Sequence, residues 1–258
     1  MRRLLVLAAV SGCAGHPGSG NGVIALSNSA AALPSSEAHG SARADFVDGS
    51  SDALVCRTSA TLGGCRVRTN CVVDDTPVSH YSAGELTFEH TTIVPLMLTT
   101  DEGGLYGGAG VADGRISTPR SQLEVHASGG QVPHFDLSLT SPEPLTVLAP
   151  SRMTTDVART TDLDVAWIGL TMGTVSVTID DGLEQASSIA CSFAGAEGAG
   201  VIPASALALF TSTNGRLAIS AITSASARVE AWDVMFRVTD DAAWEDGSSG
   251  ELNLAFHD

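Results

Sequence analysis

From residue 86 onward the chain alternates apolar and polar side chains with a period of two. GELTFEH sets Leu86 and Phe88 on one face against Glu85, Thr87 and Glu89, the pattern of a strand buried on one side. QLEVH repeats it with Leu123 and Val125, FDLSL with Phe135, Leu137 and Leu139, and LDVAW with Leu163, Val165 and Trp167. TVSVTI follows with Val175, Val177 and Ile179, then RLAISAI with Leu217 and Ile219. WDVMFRV adds Trp232, Val234, Phe236 and Val238, and ELNLAF closes the series.

Turn signals (DEGG, ASGGQVP, TSPEP, DDG, TNG) separate these runs, so strands recur at roughly 8 to 12 residues, as in an all-β sandwich. GVIPASALALF departs from the pattern. Its proline stands at a first helical turn ahead of alanine and leucine, which predicts a short helix over Pro203–Leu209. The segment LTVLAPSRMTTDVARTTD, 145–162, ends one group of strands and precedes another. The expected fold is therefore an Ig-like antiparallel β-sandwich in two lobes, 52–150 and 151–258, each close to the usual Ig-domain size of about 100 residues. A single larger sandwich with strands exchanged between the halves is the alternative.

Ahead of these strands, 14–51 is rich in glycine, serine, alanine and proline and reads as a flexible tether, with Val23–Leu26 as a candidate edge strand. The opening MRRLLVLAAVSGC has the order of an export signal: two arginines, an apolar run and small residues. That run is too short to span a membrane, which takes roughly 20 apolar residues. Val10, Ser11, Gly12 and Cys13 together resemble the lipobox of bacterial lipoproteins. The resemblance implies a diacylglyceryl thioether on Cys13, cleavage before it and acylation of the new amino terminus. Residues 1–12 would be the signal peptide and 13–51 a lipidated tether, held firmly because several acyl chains anchor where one does not. Ala14 is not the aspartate that in this family marks inner-membrane retention, so the outer membrane is the expected location. The passages SAGELTFEH, VHASGGQVPHFDLSLTSPEPLTVLAP, DLDVAW and IACSFAGAEGAGVIPASALALF also resemble a group of uncharacterised bacterial lipoproteins, a likeness that brings no activity with it.

Charge narrows the partners. The formal net charge is −16, every basic side chain is an arginine, and loss of the signal would remove two of them. Nucleic acid and anionic membrane surfaces would repel such a chain, which leaves the lipid anchor as its membrane contact. The absence of lysine, with heavy use of alanine and glycine, reads first as the imprint of a GC-rich genome. After Cys13, the cysteines Cys56, Cys65, Cys71 and Cys191 form an even set, which in an exported protein points to two disulfides with three pairings open. Four thiolates also suit zinc, but the C-x8-C and C-x5-C spacings are not the tight pairs of such sites.

Motifs for common hydrolytic chemistry are missing. The sequence contains no G-x-S-x-G and no H-E-x-x-H, and EGGLYGGAGVADG lacks the lysine of a phosphate-binding loop. The histidines are scattered singly, with His90 and His126 on the outward phase of their strands. No cofactor is expected; weak calcium binding is the exception to weigh, with Asp180, Asp181, Asp240 and Asp241 as candidate ligands from loops. Tyr106, on a glycine-rich loop, is a candidate ligand contact. Trp244 among carboxylates is either another contact or a cap over the end of the sandwich. The expected function is a non-enzymatic one: a lipid-anchored envelope protein with a binding or structural role toward an envelope protein or glycan. Carbohydrate- or calcium-dependent adhesion by a secreted or periplasmic module, and an enzyme with a site assembled from dispersed residues, are the alternatives.

Overall fold

The computed structural model describes residues 20–29, 39–48, 54–73, 78–93, 95–101, 103–106, 109–111, 114–182 and 187–258. The fold is an all-β sandwich. Its strands in chain order are β1 (Gly20–Ser29), β2 (His39–Asp48), β3 (Leu54–Leu62), β4 (Cys65–Val73), β5 (Leu86–Glu89), β6 (Leu96–Leu98), β7 (Ala109–Val111), β8 (Gln122–Ala127), β9 (Phe135–Thr140) and β10 (Thr146–Ala149). They continue as β11 (Asp156–Ala158), β12 (Leu163–Ile168), β13 (Thr174–Asp180), β14 (Ser188–Ala194), β15 (Ala199–Ile202), β16 (Asn214–Val229), β17 (Trp232–Asp241), β18 (Ala243–Trp244) and β19 (Leu252–His257). The expected helix is present as α1 (Ala204–Leu207), with Pro203 in extended conformation at its start.

An 11-stranded sheet in the order β3-β4-β14-β13-β16-β17-β1-β2-β7, with β19 and β11 branching from β16, forms one layer. Two 4-stranded sheets, β15-β12-β10-β18 and β6-β5-β8-β9, form the other. Both cover the same face, as the register of β16 shows. Leu217, Ile219 and Ala221 enter one hydrophobic core with Trp167, Val177 and Phe256. Ala225, Ala227 and Val229, on the same phase of the strand, pack against the other core with Phe46, Leu123 and Phe236. Side chains directly opposite in a ladder share a face, and Ala225 opposite Phe236 and Ala227 opposite Val234 carry that phase into β17.

The chain therefore differs from two lobes meeting at residue 150. Cys65 and Val67 belong to the core of 145–256, while Trp232, Val234, Phe236 and Val238 belong to the core of 24–139. Strands are exchanged across one shared sheet. The tether expected over 13–51 is also corrected for 20–29 and 39–48; Cys13 and the remainder of that segment lie outside the described residues. β1 is a central strand, parallel to β17 and antiparallel to β2, and Ile24, Leu26 and Phe46 are fully buried. Its glycines have a packing reason. A Cβ on Gly20 would lie 2.3 Å from the Trp232 ring, and one on Gly22 would lie 2.5 Å from the Phe46 ring.

Where the two cores meet, the inner face is polar. Asp240, opposite Ala221 on β16 and Asn28 on β1, is 2% exposed. Its carboxylate pairs with Arg115, while the Asn28 side-chain Oδ1 accepts from the Ile116 backbone N–H at 2.7 Å. The same loop sends Arg120 to the buried Glu143 carboxylate at 2.7 Å, which also accepts hydrogen bonds from Thr171. Burial raises the Asp240 carboxyl above its usual range, whereas the Thr171 N–H and hydroxyl, with Arg120, hold Glu143 below its own.

Two disulfides fasten the far edge of the large sheet. Cys56–Cys71 joins directly opposite residues of β3 and β4 across 15 positions, and Cys65–Cys191 joins β4 to β14 across 126. Loop-closure entropy makes the longer link the stronger one, about 5 kcal/mol against about 3.

If β1 packs as described, Gly22→Ala forces the Phe46 ring aside and destabilises the protein by about 1–3 kcal/mol in chemical denaturation. A tether would tolerate the same change with no shift in the midpoint.

Candidate functional site

Among the described residues, the outward face of β6-β5-β8-β9 gathers several ligating side chains. Antiparallel register sets Thr87, His126 and Asp136 in one row, and Glu89, Glu124 and Ser138 in the next. Period two sends Leu86, Phe88, Leu123, Val125, Leu137 and Leu139 into the core, so these polar partners emerge together on the opposite face.

His126 is the centre of the group. Its Nδ1 lies 2.7 Å from Asp136 Oδ1, and its Nε2 lies 3.7 Å from Glu89 Oε1 and 3.8 Å from Glu124 Oε2. That Nε2 is shielded from solvent and makes no hydrogen bond. His134 Nε2 lies 3.7 Å from the same Asp136 Oδ1. The hydrogen bond to Asp136 raises the His126 pKa above the usual value, aided by the charges of Asp136, Glu89 and Glu124 and opposed by partial burial. His90 completes the group. With φ at 61° it leaves the strand conformation, and its ligand atom lies within 4.8 Å of those of Glu89 and Glu124. His126 has the expected outward phase, whereas His90 lies past the end of β5 on the parity of Leu86 and Phe88 and is exposed where the backbone leaves the strand; neither stands alone. Period two also gives the phase of Glu89, Glu124 and Asp136; the register that gathers them comes from pairings with no local signature.

Other candidate residues are placed elsewhere. Tyr106 is a core residue and not a loop contact: its ring packs 5.7 Å from Phe46, and its hydroxyl accepts from Ala83 N–H and donates to Gly84 C=O. Burial accordingly raises its pKa. Trp244 is 3% exposed and packs in the core of 145–256, donating its indole N–H to Gly250 C=O at 2.9 Å. The Arg152 guanidinium lies 5.3 Å from its ring centroid, over the face on which a sugar would stack. Its edge lines a hollow of about 480 Å³ with Val147, Leu148, Arg152 and Met153. The four aspartates are committed separately. Asp180 pairs with Arg216 and Asp181 accepts from Ser187 N–H, while Asp240 holds Arg115 and Asp241 accepts from Ser29.

No protein-family model matches the chain, and no curated protein matches it either.

The arrangement predicts a histidine titration with a defined sign. His126 should show an NMR pKa above 6.5, and Asp136→Asn should lower it toward that value. Stability from this contact is present below the unfolded-state pKa and lost as pH rises through the folded one. An unchanged pKa in the variant would contradict the assignment.

Proposed function

We propose that this protein is an exported lipoprotein, anchored in the outer membrane through Cys13, whose sandwich body performs a binding role at the cell envelope. The observation that carries the exported half of the reading is the pair of disulfides, since such bonds persist in oxidising compartments. The lipobox-like opening supplies the anchor, and the residues through 19 lie ahead of β1 as the connection to it. Among the described residues no helix is long and apolar enough to cross a membrane.

The binding half rests on the outward face of β6-β5-β8-β9. Glu89, Glu124, His126 and Asp136 sit on strands whose other side is packed into a core, so most of the array is held by the sheet, with His90 following directly on β5.

Expression of the full-length chain in a Gram-negative host tests the anchor. The protein should fractionate with membranes and give an intact mass beginning at Cys13 plus acyl chains. Cys13→Ser should remove the added mass and release the chain from the membrane fraction. An unlipidated wild-type chain would overturn the anchored reading.

A further inference from the structure

We propose that the outer face of β6-β5-β8-β9 binds one divalent transition cation of the zinc class, with His126, His90, Glu89 and Glu124 as ligands. This gives the binding role above a ligand and rests on that reading only for its place in the cell; the chemistry stands on the geometry.

Three features of the site point to a cation. Glu89 and Glu124 are directly opposite across β5 and β8, and like charges so placed destabilise a sheet. His126 is oriented as metal-binding histidines are, donating Nδ1–H to a carboxylate so that the Nε2 lone pair is free to ligate. That Nε2 lies between both glutamates and makes no hydrogen bond. Finally, a ligand atom of the His90 ring lies within 4.8 Å of one on each carboxylate.

Distances fit the ion. Zinc holds nitrogen and oxygen ligands at about 2.0–2.2 Å, so ligand atoms of a tetrahedral site lie roughly 3.4 Å apart. The 3.7 and 3.8 Å separations around His126 Nε2 need contraction by only a few tenths of an ångström. The ligand atoms of Glu89, His90 and Glu124 lie within 4.8 Å of one another; His126 is outside that group and meets each glutamate singly, so closing all four on one ion takes side-chain rotation on an exposed face. Mixed imidazole and carboxylate donors select zinc-like ions, whereas calcium takes six to eight oxygens, more than two glutamates provide. Asp136 touches no metal in this arrangement. It is a positioning residue that fixes the His126 tautomer and ring.

The competing account is a protonated His126 that itself serves as counter-ion to the two glutamates. Calorimetric titration of the purified full-length chain with zinc separates the two. One zinc per chain is expected, with binding weakened at least about tenfold by His126→Ala or by Glu89→Gln with Glu124→Gln, and about tenfold by Asp136→Asn. His257→Ala, at the exposed end of β19, should bind as the wild type does. The double glutamine variant should unfold at or above the wild-type temperature without metal, because the like-charge pair is gone, so its loss of binding is not loss of fold. Zinc should raise the wild-type unfolding temperature and leave that of the double variant unchanged. Zinc binding untouched by these substitutions, absence of zinc binding, or preference for calcium overturns the proposal. A chain that binds zinc but carries no lipid would leave this site in place and fail the envelope reading alone.

Discussion

β16 is the constraint on which the rest of the structure depends. It is 16 residues long, and its inward side chains serve two cores in succession. β13 pairs along one side; on the other, β19 pairs over Asn214–Leu217 and β17 from Ser220 onward. Neither core is complete without it. The inner face changes character where the cores meet, with Asp240, Asn28 and the 114–121 loop replacing apolar contacts. Burying Asp240 is unfavourable unless its charge is met, and Arg115 meets it. The half-buried ion pair ties the 114–121 loop to the inner face of β17 between the two cores.

That shared sheet also explains why the best candidate site is on a strand face. β9 packs over β16 and β17, so the small sheet bearing His126 is supported from beneath by the same strand that organises the other core. Loops at the sandwich ends were the natural place to seek ligands, and the structure fills them differently. Tyr106 is buried against Phe46, and Trp244 lies under Arg152. What remains exposed and chemically concentrated is a set of side chains whose spacing is dictated by ladder geometry.

Much of this was legible from period two. The runs from Leu86 to Phe256 became strands with the expected faces, and Pro203 opened the expected short α-helix. The missed strands have physical causes. In β1, Gly20 and Gly22 read as linker because the groups that fill their space, Trp232 and Phe46, come from elsewhere in the chain. The second half of β16, SASARV, presents small residues to its core and so shows little hydrophobic contrast. Cysteine count implied two disulfides but left their pairing open, because adjacency of β4 to β14 is a tertiary fact. The outward phase of Glu89, Glu124 and His126 was visible in the same way, while their assembly depended on register between β5, β8 and β9.

One sheet shared by two cores implies one cooperative unit, and hydrogen exchange followed across a denaturant series tests this most directly. Amides of β13, β16, β17 and β1 should reach a common opening free energy and lose protection together. Loss of protection in β1 and β17 at a denaturant concentration where β13 and β14 remain protected would show two independent lobes and contradict the account.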